Sequence, residues 1–404
     1  MSKKFNIAIS AVMLISMLLT ACSSTAATTQ SPTSAAPAAT ATTGTSATAA
    51  PAATATGSNT QPTQAAAGSI QINGAGATFP LPVYTEWIYQ YQTVDPSVAF
   101  NYQGIGSGGG KKGIIDRTLD FAGSDSVLSA DEYTKGGDLQ MYPMLAGAVV
   151  VIYNLDGYDA TKDPALVLDR QTLADIYQGK IKTWNDPAIL KLNPKLTMLS
   201  DKPITVAHRS DGSGTTEIFT NSLSSFSSDW KTNVGAGQSV EWPVDKVGNG
   251  VGGKGNQGVA GVVQNTKNSI GYVELSYAVA NKIPFAQLVN KAGKTVTANA
   301  DSLASDMNDF ANAFTDKLTA VIVDGSGEGS WPISGYTYFV LHTTSMEDCV
   351  KAEKILGFMK WALTDKAAAD KAASLGYSVL PDAVRSKVLA KMGEVTCKGQ
   401  PVLK

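Results

Sequence analysis

Three times along the chain an apolar, alternating stretch runs into small residues and then into a helical pattern. The junctions read GAGATFP (Gly74–Pro80), GIGSGGG (Gly104–Gly110) and DGSGTT (Asp211–Thr216). Repeated strand–turn–helix units build an α/β architecture with mostly parallel pairing, so these junctions restrict the fold more than any other feature. Their flanks agree. SIQINGAG and VAFNYQGIG read as strands, and in PLPVYTEWIYQYQTV the residues Val83, Trp87 and Tyr91 recur every fourth position, which predicts a helix. GGGKKGIIDRTLD reads as a helix with Ile114, Ile115 and Leu119 on one face, and LDFAGSD as a strand and turn. The runs 144–153 and 335–342 are continuously apolar, as strands covered on both faces are. They are the candidates for crossings between two domains. Helices are expected over 346–363 and 365–374.

A helix start leaves backbone N–H groups without partners and carries partial positive charge. Glycine lets a ligand come close to that backbone. Three such starts aimed at one point would hold an oxyanion. Pro80 is expected as a first helical residue, Ser107 as an N-cap, and Ser213, Gly214 and Thr215 at the opening of a helix over 215–226. One junction alone says little, since glycine turns before helices are common in α/β folds.

Enzyme motifs fit poorly. GAGATF has Phe79 where a dinucleotide fingerprint needs glycine. GSGGGKKG lacks the first P-loop glycine, where Ile105 stands, and has Lys112 in place of Ser or Thr. DGSGT has Asp211 and Thr215 where a nucleophile elbow needs glycines. Two histidines, His208 and His342, supply a zinc cage or a Ser-His triad badly, and His208 reads as a strand residue with a satisfied ring. No metal or cofactor is expected. Arg209 suits an anion better, because its planar fork grips two oxygens and Asp211 can brace it; a plain surface Arg–Asp pair is the alternative. Asp125 is a carboxylate where an anion should bind. It makes sense if the ligand still carries a proton, as phosphate does near neutral pH and sulfate does not.

The 404 residues carry a formal charge of −2, which argues against a nucleic-acid partner. An anion must therefore be held by local donors, not by a general positive field. Residues 1–22 read as a signal: Lys3 and Lys4, an apolar run Ile7–Leu19, then LTAC ending on Cys22, a lipobox cysteine. Residues 23–68 are nearly all Ser, Thr, Ala, Pro, Gly and Gln and are expected to be a tether. A coil of that length spans about 35–40 Å. Cys349 and Cys397 remain; outside the cytoplasm such thiols commonly pair.

Several stretches together closely resemble the solute-binding phosphate receptor of phosphate ABC transporters, from about Ile70 to the C-terminal end. They are NGAGATFPLPVY, NYQGIGSGGGKKGI, DFAGSDSVLS, IYQGKIKTWND, RSDGSGTTEIFT, GGKGNQGVAG, SIGYVE and LPDAV. The resemblance implies an α/β, two-lobed type II periplasmic-binding-protein fold, with mixed, mostly parallel sheets and a cleft between lobes. Lobe I would comprise 69–146 plus 333–404, and lobe II 147–332. It implies phosphate ligation by Thr78, Phe79 (through its N–H), Ser107, Asp125, Arg209, Ser213, Gly214 and Thr215, with Asp211 orienting the arginine. It implies membrane permease subunits as partners, an extracytoplasmic place and no catalysis; the lipobox at Cys22 implies a lipid anchor in the cell membrane, and a monomer is expected. FAGSD and Thr216 depart slightly from the family pattern, and VDKVGNGVGGKGNQG looks longer than usual. None of these departures is expected to touch a ligand residue. The other readings are a secreted phosphomonoesterase with Ser213 or Thr78 as nucleophile, a receptor for another tetrahedral oxyanion, and an adhesive surface lipoprotein.

Overall fold

A computed structural model describes residues 68–403. The expected signal segment, Cys22 and the tether up to residue 67 lie outside the described residues. Eight strands carry the site: β1 (Ile70–Gly76), β2 (Val98–Gly104), β3 (Phe121–Ser124), β4 (Leu139–Asn154), β5 (Thr205–Arg209), β6 (Gly250–Gly253), β7 (Ser269–Glu274) and β8 (Ser334–His342). Five helices matter with them: α1 (Leu81–Val94), α2 (Ser107–Ile115), α3 (Gly214–Phe226), α4 (Gly255–Asn265) and α5 (Leu275–Ala280).

The strands form one mixed sheet in the order β2-β1-β3-β8-β4-β7-β5-β6, with the short strand Ser378–Val379 added on β4. The flanks are parallel: β1 with β2 and β3, and β5 with β6 and β7. The middle is antiparallel, where β8 pairs with β3 and β4, and β4 pairs with β7. β4 changes partner along its length. Leu139–Ala148 faces β8, and Val149–Asn154 faces β7. Fifteen of its sixteen residues are buried, as the apolar run requires.

α1 crosses over between β1 and β2 and buries Val83, Tyr84, Trp87 and Tyr91. Fixing this stripe against the sheet is what makes the segment helical, since short helices are marginal alone. The helix opens at Leu81, one residue after the expected Pro80, with Pro82 in its first turn. Prolines sit well there because the N–H they lack would be unpaired anyway. The late helices run Cys349–Thr364 and Lys366–Ser374, shorter at the front than expected because Asp348 caps the first one. Cys349 and Cys397 form a disulfide with a Cα–Cα distance of 5.4 Å. No described helix is long and apolar enough to cross a membrane.

Candidate functional site

The parallel flanks end at the three glycine junctions and bring them together. Gly76 O accepts from the N–H groups of Ile105 (2.9 Å) and Gly106 (2.8 Å), joining the first junction to the second. Gly108 N–H donates to Gly212 O at 3.0 Å, joining the second to the third. Two glycines make this closeness possible. Gly106 has φ +91°, and a Cβ there would lie 2.4 Å from Asp211 Oδ2. At Gly214 a Cβ would lie 2.6 Å from Asp125 Oδ2 and 2.7 Å from Ser107 Oγ.

Ser107 is not the N-cap that its sequence suggests. Gly106 takes that place, and Ser107 is the first helical residue. The reason is Gly106's positive φ, which turns the chain one residue earlier. The Ser107 hydroxyl is thereby free to accept from the N–H groups of Asp125 (3.2 Å) and Gly214 (3.1 Å). Ser213 does cap its helix, which starts at Gly214, accepting from Thr216 N–H at 3.0 Å. The N–H groups of Phe79, Ser107 and Thr215 have no partner among the described residues. Ser107 and Thr215 are in the first turns of α2 and α3, where no helical partner exists.

Arg209 sits at the end of β5, almost fully buried. Its Nε and Nη2 donate to the two oxygens of Asp211 at 2.7 and 2.6 Å, and its Nη1 reaches Thr215 Oγ1 at 3.3 Å. Asp211 Oδ1 also accepts from Gly255 N–H at 3.0 Å. Burial raises the Asp211 carboxyl, but hydrogen bonds and charge from Arg209, with the Gly255 N–H, outweigh it and hold the group below the ordinary range. The brace is thus an anion pinned in place, and the free edge of the fork faces Thr215.

The sequence reading missed Asn256. It is fully buried at the start of α4, in the stretch thought not to touch the site. Asn256 Nδ2 donates to Thr78 Oγ1 (2.9 Å) and to Thr215 Oγ1 (3.2 Å), and its own N–H donates to Thr78 Oγ1 at 3.2 Å. Glu274 N–H donates to Asn256 Oδ1 at 2.9 Å, which fixes the amide's orientation. A hydroxyl oxygen accepts two hydrogen bonds. Thr78 receives both from Asn256; Thr215 receives one from Asn256 and one from Arg209. Each threonine must therefore donate its own hydrogen elsewhere. The signal was present in GGKGNQGVAG, which helped carry the resemblance but was given no part in the site.

Asp125 follows β3 and is buried. Thr337 on β8 donates to its Oδ1 at 2.9 Å, and Ser107 Oγ lies 3.4 Å from its Oδ2. Burial pushes its carboxyl up to about 7, against the pull of Thr337, Arg209 and Ser107. Seven of the nine expected residues are joined by hydrogen bonds: Thr78 and Thr215 through Asn256, with Arg209 and Asp211 attached at Thr215, and Ser107, Asp125 and Gly214 through the Ser107 hydroxyl; Phe79 and Ser213 adjoin them in the chain. His208 lies outside. Its Nε2 is 2.8 Å from Asp245 Oδ1 and its ring stacks on Trp242. Among the described residues no group of three or more His, Cys, Asp or Glu is placed to hold a metal ion.

A family profile described as the PBP superfamily domain matches residues 31–366. The phosphate-binding protein PstS of Xylella fastidiosa is 44% identical over 326 residues, covering 80% of this chain and 85% of that protein. The chain belongs to the PstS family of phosphate-binding proteins. Another PstS, from Pasteurella multocida, is 42% identical over 323 residues, covering 79% of this chain and 89% of its own. The crystal structure of a phosphate-binding protein from Stenotrophomonas maltophilia superposes with a TM-score of 0.57 at 22% identity, covering 80% of this chain and 94% of that one. At such identity the likeness concerns the fold, which is the two-lobed type II periplasmic-binding-protein fold in both.

Proposed function

We propose that the chain captures inorganic phosphate outside the cytoplasm and delivers it to the permease subunits of a phosphate ABC transporter. One observation carries the reading: a buried arginine fork and two threonine hydroxyls forced to donate meet a buried carboxyl, Asp125, that has no use for a fully deprotonated anion. Thr78, Phe79, Ser107, Arg209, Ser213 and Thr215 are the donors to phosphate, Asp125 accepts the ligand's proton, and Gly214, expected as a ligand, instead spends its one N–H on Ser107 Oγ. The role is that of a receptor and not of a phosphomonoesterase. Ser213 Oγ caps α3, Thr78 Oγ1 is taken up by Asn256, and both histidines are engaged with Asp245 and Asp138.

The halves that close on phosphate are 69–146 with 333–404, and 147–332. The change of β4's partner between Ala148 and Val149 supports a boundary there. Cys22 carries the lipid that anchors a monomer to the membrane through the tether. Equilibrium dialysis with labelled phosphate, competed by arsenate and by sulfate, tests the binding. Arsenate should displace phosphate and sulfate should not; displacement by sulfate at similar concentration refutes the assignment of Asp125. Turnover of a chromogenic phosphate ester by the pure protein would refute the receptor role.

A further inference from the structure

We infer that Tyr277 is a positioning residue for the anion, setting the direction of the Phe79 N–H by holding the carbonyl at the other end of the same peptide. This rests on the phosphate-binding reading. Tyr277, in α5, donates from its hydroxyl to Thr78 O at 2.5 Å, across 199 positions of sequence. The Thr78 C=O and the Phe79 N–H belong to one planar trans peptide, so they point in opposite directions. Fixing the carbonyl therefore fixes the N–H. That N–H has no protein partner among the described residues.

The environment keeps Tyr277 in this role. It is 8% exposed, and burial holds its phenol well above the usual value, so it stays a donor at any physiological pH. The Thr78 side chain is held independently by Asn256. Residue 78 is thus pinned by side chain and carbonyl at once, which leaves the following peptide little freedom to tilt. Leu81 N–H, 3.3 Å from Thr78 O, is a second and longer partner. It sets the scale of the effect: losing Tyr277's hydroxyl loosens the peptide without releasing it.

The next peptide provides a control, its tyrosine hydroxyl also meeting Glu274 Oε2 at 2.9 Å and Ser276 Oγ at 3.2 Å. Tyr377 donates to Phe79 O at 2.7 Å, also in a buried place. That peptide continues into Pro80, which has no N–H. One tyrosine hydroxyl thus orients a donor, and the other holds a carbonyl behind which there is none.

The test compares the parent chain with Tyr277→Phe and Tyr377→Phe, each the loss of one hydroxyl. Phosphate affinity is measured by calorimetry, and the Phe79 amide is followed by NMR in protein labelled with 15N-phenylalanine, of which the chain has 11. Phosphate should move the Phe79 amide proton downfield in the parent and equally in Tyr377→Phe, with affinity there within about twofold of the parent. In Tyr277→Phe the movement should fall by half or more and the affinity by roughly fivefold, the size of one ordinary hydrogen bond. A full Phe79 shift with parent affinity in Tyr277→Phe overturns the inference, and so do equal losses in the two variants. A Phe79 amide that phosphate leaves unmoved in the parent overturns it with no variant needed. A parent chain that does not bind phosphate refutes the functional reading itself, which keeps the two failures apart.

Discussion

Asn256 occupies the lone pairs of Thr78 Oγ1 and shares those of Thr215 Oγ1 with Arg209, and so decides that both hydroxyls donate. Asn256→Ala should release them to rotate and weaken phosphate binding roughly tenfold, about one hydrogen bond to a charged group. Asn256→Asp should do far more harm, on the order of a hundredfold or beyond, because a carboxylate would draw both hydrogens toward itself and repel the anion. Dialysis of both variants checks this, and an aspartate variant that binds as well as the alanine one sinks the account. Asp125 calls for a different measurement. Its carboxyl, pushed up to about 7 by burial, is ionised and accepting above that value and protonated, hence able to donate, below it. The preference for phosphate over sulfate should therefore grow as pH rises through neutrality and shrink as it falls. Competition dialysis on either side of neutrality reads this directly, and Asp125→Asn should flatten the dependence. An equal ratio at both pH values in the parent would show that Asp125 does not select.

At the scale of elements, the disulfide ties the start of the Cys349–Thr364 helix to the short strand Thr396–Cys397, closing a separation of 48 residues. In the chain-entropy view a loop of that size contributes about 4 kcal/mol. Cys349→Ser should lower the melting temperature by several degrees while leaving phosphate affinity unchanged, because neither cysteine belongs to the hydrogen-bonded network of the site. A variant that melts like the parent would mean the C-terminal hairpin is held by packing alone. Which elements were legible follows from how locally they are determined. The stripe of Val83, Trp87 and Tyr91 and the apolar run of β4 depend on neighbours in sequence, and the reading from sequence located them. The antiparallel middle of the sheet was not legible. β4 and β8 are far apart in the chain, and nothing within either strand encodes the other's direction. Asn256 and Tyr277 were missed for the same reason: their partner Thr78 is 178 and 199 positions away. The family resemblance named candidate ligand residues, with Asp211 as the brace for Arg209, but neither Asn256 nor Tyr277.

At the scale of the molecule, three buried acids work against ionisation. Burial pushes Asp125 up to about 7 and both Glu274 and Asp306 up to about 8. Each binds its proton more tightly folded than unfolded, so its contribution to stability is fully present below the unfolded value and is lost as pH rises through the folded one. Asp138 acts the other way. Despite its partial burial, hydrogen bonds from His342, Thr344 and Ser345 hold it well below the ordinary range, and its contribution is lost in acid. Phosphate-free protein should therefore melt higher near about pH 5 than near about pH 8, and lower again in stronger acid. A melting temperature that rises steadily from pH 5 to pH 8 would contradict the burial of these groups. The Arg209–Asp211 pair has a consequence of another kind. The arginine's charge is matched at 2.6 Å by its brace, Asp125 adds no positive charge, and the whole chain is slightly negative. An arriving anion is therefore drawn by oriented N–H and O–H dipoles at short range and hardly at all by long-range attraction, which dissolved salt would screen. Its association rate, followed by stopped flow, should stay nearly flat as ionic strength is raised, and a steep decline would reveal a positive field elsewhere on the surface. A receptor built in this way captures its ion as quickly in brine as in fresh water.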